Sequence, residues 1–266
     1  MPVSPRRFLP LIFVAALLLP AAVPAAASTS SSVTSAEAAA LTYANNERTA
    51  RGLKPLRLDS RLQTIAHGRA VTMADEDTLS HDQADGNNVF DLLTQADITR
   101  YRAGEIIAYN YTSSYASSAK GAVGQWMNSS PHRAILLSSD YNYVAFGLAV
   151  SSSGRRYWAG VFIKGPDRTG AWAKLSAPIK TYYTSARTKV TFRWTGADTV
   201  LQVLTSGWRS YEIARRIDDG EWVSYGATKA TSLTVTWSRG HTYQFRVRAL
   251  DWAGNWGGWR TITVTI

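Results

Sequence analysis

Two histidines and one glutamate carry the chemistry this sequence can support. His81 follows Leu79-Ser80 and precedes Asp82, and Glu105 follows Gly104 and leads into Ile106-Ile107-Ala108. His132 closes the run Trp126-Met127-Asn128-Ser129-Ser130-Pro131 and is followed by Arg133. Each stands beside apolar residues, the setting of side chains that converge on one cleft. Two neutral imidazoles can hold a divalent cation such as Zn²⁺, with water in the open positions and Glu105 binding directly or through water. Such an ion is weakly bound and exchangeable, because structural zinc takes four protein ligands. Glu105 is also the candidate catalytic residue: as a general base acting on metal-bound water it would make a hydrolase. No His-Glu-x-x-His helix accompanies it, and no oxyanion-stabilising group stands out. In a third reading the three side chains hydrogen-bond one another and hold a helix to a sheet. Ser80, Ser129 and Ser130 lie near the histidines, but no Gly-x-Ser-x-Gly elbow presents them as nucleophiles.

The elements that must position these residues follow from periodicity. Thr34 with Glu37 has the form of a capping box, and Ala38, Leu41 and Ala44 keep one apolar face until Gly52 stops the helix. The turn Gly52-Leu53-Lys54-Pro55-Leu56 leads to a second helix from Asp59 or Ser60, with Leu62, Ile65, Ala66, Arg69 and Met73 at helical spacing. His67 falls off that stripe and reads as a surface or supporting histidine. Val89, Leu92 and Leu93 mark a short helix, Glu105 to Tyr111 alternates as a strand, and Ser114 to Met127 is again helical. Strands at Tyr143 to Val150 and Arg156 to Lys164 join through a hairpin at Ser151-Ser152-Ser153-Gly154. Helices flanking a small antiparallel sheet predict an α+β layered unit.

At 266 residues the chain is long enough for two cores. Gly165-Pro166-Asp167-Arg168-Thr169-Gly170 breaks the pattern, and eight of the ten tryptophans lie beyond Arg168. Alternating runs there (Val190 to Trp194, Tyr211 to Ile217, Leu233 to Trp237, Thr242 to Leu250, Thr261 to Ile266) predict an all-β sandwich. Residues 28–167 hold 13 Lys+Arg against 13 Asp+Glu, whereas residues 168–266 hold 14 against 6, a net charge of +8. A basic, aromatic-rich module fits an anionic cell-wall polymer or carbohydrate as partner. Trp194 and Trp222 are assigned to the sandwich core; Trp252, Trp256 and Trp259 are left unassigned, because a Gly-rich loop is a poor place to bury three indoles.

The N-terminus has the form of an export signal: Arg6-Arg7, an apolar stretch from Phe8 to Leu19, and Ala25-Ala26-Ala27 as cleavage site. The mature chain then begins near Ser28, is not membrane-spanning, and works outside the cell, where nucleic acid is not the expected partner. The absence of cysteine excludes disulfides and thiolate metal sites.

The ordered motifs Asn46-Glu47-Arg48, Gly52-Leu53-Lys54-Pro55-Leu56, Leu79-Ser80-His81, Gly104-Glu105, Trp126-Met127-Asn128-Ser129 and His132-Arg133-Ala134 resemble the CAP superfamily of cysteine-rich secretory, antigen 5 and pathogenesis-related 1 proteins, in its cysteine-free bacterial form. The resemblance implies an α-β-α sandwich over residues 36–167, with a cleft lined by two histidines and one or two acidic residues. By this likeness His81 and His132 match the cleft histidines and Glu105 the acidic residue. Ile106 and Ile135 stand where the family usually has asparagine, and Ser129-Ser130-Pro131-His132 replaces its Ser-Pro-Gly-His. The family is chiefly one of binding proteins, some accommodating sterols or fatty acids, and Tyr109, Tyr111, Tyr115, Tyr141 and Tyr143 permit a lipid or sterol here. A second likeness, carried by His241 to Ala249 with Tyr243 at the tyrosine-corner position and by Asp251-Trp252-Ala253-Gly254-Asn255-Trp256, is to bacterial fibronectin type III modules. The expected organisation is a signal peptide at 1–27, a polar leader at 28–35, the CAP-like domain, a linker at 168–174, and a fibronectin/Ig-like β-sandwich at 175–266. The expected activity is non-enzymatic ligand binding outside the cell, with an extracellular hydrolase acting on cell wall or peptide as the alternative.

Overall fold

The computed structural model describes residues 31–266. The expected export signal and the first residues of the polar leader lie outside that range. Helix α1 (Ser31–Thr49) already runs through residues 31–35, so Thr34 sits inside a helix and not at its cap. Glu37, which with Thr34 suggested a capping box, is buried (6% exposed). It accepts hydrogen bonds from Gln63 Nε2 at 3.0 Å and the Leu148 amide at 3.0 Å, and pairs with His67 Nδ1 at 2.9 Å. The helix ends as expected through Gly52, whose φ of +74° an L side chain adopts only with strain.

After the two-residue strand β1 (Arg57–Leu58), Asp59 caps helix α2 (Ser60–Asp75) by accepting from the Arg61 amide. Helix α3 (Val89–Gln95) begins with a true capping box between Asn88 and Asp91. Strand β2 (Arg102–Asn110), helix α4 (Tyr115–Asn128, capped by Ser114), helix α5 (Ser130–Leu136) and strands β3 (Tyr143–Val150) and β4 (Arg156–Lys164) complete the first half. The sheet order is β1-β3-β4-β2, antiparallel except where β1 runs parallel to β3.

Both faces of this sheet are covered, so its strands are apolar on both sides. On one face Trp126 and the alanines of α1 and α4 pack on Ile106, Phe146, Leu148, Trp158 and Phe162. On the other, Leu62, Ile65 and Ala66 of α2 with Val89 and Leu93 of α3 pack on Tyr143, Ala145, Val161 and Ile163. The result is a three-layer α-β-α arrangement. Gly147 allows α2 to lie directly on β3: a Cβ there would stand 2.0 Å from the Ala66 carbonyl oxygen.

The second half is two facing four-stranded sheets. Strands β5 (Trp172–Leu175), β6 (Ile179–Tyr182), β7 (Arg187–Ala197) and β10 (Ser232–Ser238) form one; β8 (Trp208–Ile217), β9 (Val223–Thr228), β11 (Thr242–Asp251) and β12 (Arg260–Thr265) form the other. Their inner faces close on Phe192, Trp194, Trp237, Tyr243, Phe245 and Val247. Tyr243 Oη donates to the Ser238 carbonyl at 3.2 Å. Strand β5 pairs Trp172 with Ala197, so the joint is shorter than the expected 168–174. Trp194 fills the core as expected. Trp222 does not: it stands on the outer face, with the Arg246 guanidinium 3.9 Å from its ring centre.

The two halves share buried contacts. Leu201 (2% exposed), from the loop between β7 and β8, enters the cluster of Leu62, Tyr143 and Ile163. Gln202 accepts from the Lys54 amide at 2.8 Å, and Asn142 Nδ2 donates to the carbonyls of Gly165 at 2.8 Å and Val203 at 3.2 Å. At this joint the buried carboxylates of Asp167, Asp198 and Asp251 lie within 4.8 Å of one another. Asp167 accepts from the Thr169 and Ser206 amides, Asp198 from the Gly207 amide, and Asp251 from Asn255. Burial, reinforced by the charge of Asp167, raises the Asp198 pKa.

Candidate functional site

Gly104 and Glu105 lie on β2, and Glu105 is turned into the space between the sheet and α2. A Cβ at position 104 would stand 2.7 Å from Tyr141 Oη, so a glycine is needed for the strand to pass that ring. The facing residue on α2 is Arg69, whose side chain is 0% exposed against 2% for that of Glu105. Arg69 Nε donates to Glu105 Oε1 at 2.8 Å, and Nη2 lies 3.4 Å from Oε2. The same Nη2 donates to the carbonyls of Ser80 at 2.7 Å and His81 at 2.9 Å. A single buried guanidinium thus holds the glutamate and the loop that carries the histidine.

His81 Nδ1 is 2.7 Å from Glu105 Oε2, and its side chain is 54% exposed. A carboxylate only accepts, so Nδ1–H is the donor and the neutral ring keeps the Nε2 lone pair for a ligand. This is the carboxylate–histidine arrangement that fixes a ligating imidazole. Both oxygens of Glu105 are engaged, which makes it a positioning residue for His81 and a poor fit as a metal ligand or general base.

His132 comes from α5, a short helix opened by Pro131, whose missing N–H costs nothing in the first turn. The helix is too short for apolar periodicity to reveal, although the Ser-Pro pair is its start signal. The His132 side chain makes no hydrogen bond or ion pair among the described residues. Burial first, and then the neighbouring His81, lowers its pKa, which favours the neutral imidazole.

The three residues do not line a single cavity. His132 borders a cleft of about 530 Å³ with Leu79, Ile107, Tyr109, Tyr111 and Trp126. His81 and Glu105 border a second, about 420 Å³, with Phe90, Ile135 and Tyr141. Of the remaining tyrosines, Tyr143 binds Thr169 at the joint and Tyr115 lies under the Arg156 guanidinium. Among the described residues, the group of three acidic or imidazole side chains with ligand atoms within 4.8 Å is Asp167, Asp198 and Asp251, not the histidine site. His81 Nε2 and the His132 ring nitrogens make no hydrogen bond among the described residues, whereas both Glu105 oxygens are taken by Arg69 and His81.

Part of the chain matches a known protein family. Residues 41–162 match the model of the cysteine-rich secretory protein family, CAP. That part of the chain is a CAP domain. YlbC of Bacillus subtilis (strain 168), described as an uncharacterized membrane protein, is 33% identical over 131 residues, covering 49% of this chain and 35% of its own. The uncharacterized protein YkwD of the same organism is 29% identical over 131 residues, covering 49% and 48%. The chain therefore matches less than half the length of either relative. Among solved structures, an extracellular protein containing an SCP domain from Bacillus anthracis str. Ames is 24% identical with a TM-score of 0.43, over 49% of this chain and 41% of that one. An outer surface protein from Borrelia burgdorferi is 17% identical with a TM-score of 0.45, over 50% and 95%. No described helix is long and apolar enough to cross a membrane.

Proposed function

We propose that this chain is an exported, non-enzymatic ligand-binding protein. Its CAP domain takes a divalent cation on His81 Nε2 and His132, with a small apolar ligand such as a lipid or sterol in the adjoining cleft. The observation that carries this reading is the engagement of both Glu105 oxygens by Arg69 and His81. That engagement takes Glu105 itself out of the role of base and leaves an oriented imidazole whose Nε2 makes no hydrogen bond to a nucleophile among the described residues. The apolar and aromatic lining of the larger cleft supports the second ligand. Export rests on the Arg6-Arg7 and Ala25-Ala26-Ala27 pattern of the sequence. The fibronectin type III likeness of the β module is supported by its two facing sheets and by the Tyr243 bond to Ser238. We assign that module the task of holding the protein on an anionic wall polymer or carbohydrate.

Calorimetric titration of the mature chain with Zn²⁺ tests the cation site. Wild type is expected to bind weakly and H81A/H132A to lose the response; equal affinity in the double variant would remove the site.

A further inference from the structure

The outer face of the second β sheet carries a stack of arginines and tryptophans that the cleft does not use. Along β11 the buried residues Tyr243, Phe245 and Val247 alternate with the partly exposed Gln244, Arg246 and Arg248. Arg246 faces Ala214 on one neighbouring strand and Thr261 on the other, and these small side chains leave room above the sheet. Trp222, Trp256 and Trp259 fold over from loops on either side. The stacking order is Arg216, Trp222, Arg246, Trp259, Arg248, Trp256. The guanidinium carbons lie 5.3, 3.9, 4.1, 4.5 and 4.1 Å from the successive ring centres.

The stack covers the faces of the guanidiniums and leaves their N–H edges as the groups open to a ligand. Those edges are unequally used. Arg216 Nε donates to Gln244 at 2.6 Å, and Arg248 donates twice to Glu212, at 2.7 and 2.5 Å. The Arg246 side chain, clasped between two indoles, makes no hydrogen bond or ion pair among the described residues; its Nε is sealed from solvent without a partner, which leaves the terminal nitrogens as the edge that can meet a ligand. Three cations therefore face one carboxylate, an excess of two positive charges on one ladder. Trp222 and Trp259 carry a guanidinium on each face, which leaves no room for a sugar to stack on them, so recognition there falls to the cationic edges.

We infer that this ladder is the polyanion-binding site of the β module and that it recognises the phosphate groups of a phosphodiester polymer, with Arg246 at its centre. The preference for a phosphodiester follows from the spacing of the charges. Guanidiniums on opposite faces of an indole are too far apart to share one anion, so the ladder meets successive charges of a chain; a phosphodiester carries one in its backbone at every repeat, whereas the carboxylates of a polypeptide hang on flexible side chains that must be ordered to reach it. The inference rests on the wall-holding role assigned to the module above.

The test uses the mature full chain and a synthetic glycerol-phosphodiester oligomer, with polyglutamate of matched charge for comparison. Affinity is measured across a salt series. Wild type should bind the phosphodiester at low salt and polyglutamate at least tenfold more weakly. R246Q, with an unchanged near-ultraviolet dichroism spectrum, should bind at least tenfold more weakly and with a shallower salt dependence. R187Q/K189Q, on the other sheet, should change affinity less than twofold. Should R246Q fail to fold, R246K keeps the charge without the planar edge and should also bind more weakly. Wild-type affinity in R246Q or R246K, equal loss in R187Q/K189Q, or equal binding of polyglutamate would each overturn the ladder while leaving the wall-holding role intact. No binding of either polymer by wild type would overturn both.

Discussion

Arg69 and Glu105 meet inside the CAP domain, Nε 2.8 Å from Oε1, with His81 closing on the other carboxylate oxygen. Removing one member leaves an uncompensated buried charge, which costs about 3–5 kcal/mol, whereas replacing both with apolar residues costs much less. R69M should therefore lose about 3–5 kcal/mol in urea unfolding, and R69M/E105L should recover a large part of that loss. Additive losses in the double variant would show that the two side chains act independently.

The close approach of α2 to β3 at Gly147 predicts a second sensitive position. A methyl group there meets the Ala66 backbone, which cannot move without displacing the helix. G147A is expected to lower stability by about 3 kcal/mol or more, at the upper end of overpacking costs. A change under about 1 kcal/mol by chemical denaturation would mean that the helix is loosely held.

His67 gives the molecule a pH dependence separate from the cleft. Its pKa is raised above 6.5, first by the hydrogen bond to Glu37, so the folded state keeps this proton to higher pH than the unfolded chain does. The contribution is complete below the unfolded value near 6.5 and is lost as pH rises through the folded value. His132 has the opposite sign, its pKa being lowered, so the contribution of His67 is read as a difference. The stability gap between wild type and H67Q should shrink as pH rises from 6 to 9. A gap that widens with pH would contradict the pairing.

Leu201 ties the β module to the CAP domain through a core contact. L201A should cost about 2–5 kcal/mol and broaden or divide the thermal transition in calorimetry, because the halves then unfold less cooperatively. A single sharp transition at the wild-type temperature would show that the contact is dispensable.

Much of the first half was legible in the sequence because periodicity and caps are local signals. The bounds of α2, β3 and β4 follow from Asp59, the Ser151 to Gly154 hairpin and the alternation around them. The parts that escaped depend on partners far along the chain. Arg69 occupies an apolar stripe, and nothing local distinguishes a core methylene stem from one bearing a guanidinium aimed at β2. Glu37 has the spacing of a capping residue, yet its partners are His67, Gln63 and the Leu148 amide on other elements. Trp222 looked like core because tryptophans usually are, and its arginine neighbours come from β8 and β11. His81, Glu105 and His132 were identifiable as residues, while their division between two cavities depends on the packing of α5 against β2.

The hydrogen bond to Glu105 fixes the His81 ring with Nδ1 protonated and Nε2 open to a ligand. Long-range ¹H–¹⁵N correlation of the mature chain, labelled on histidine, reads the tautomer directly at a pH where the ring is neutral. His81 is expected as the Nδ1–H tautomer in wild type and to shift toward Nε2–H in E105L, where the acceptor is gone. An Nε2–H tautomer for His81 in wild type would contradict it.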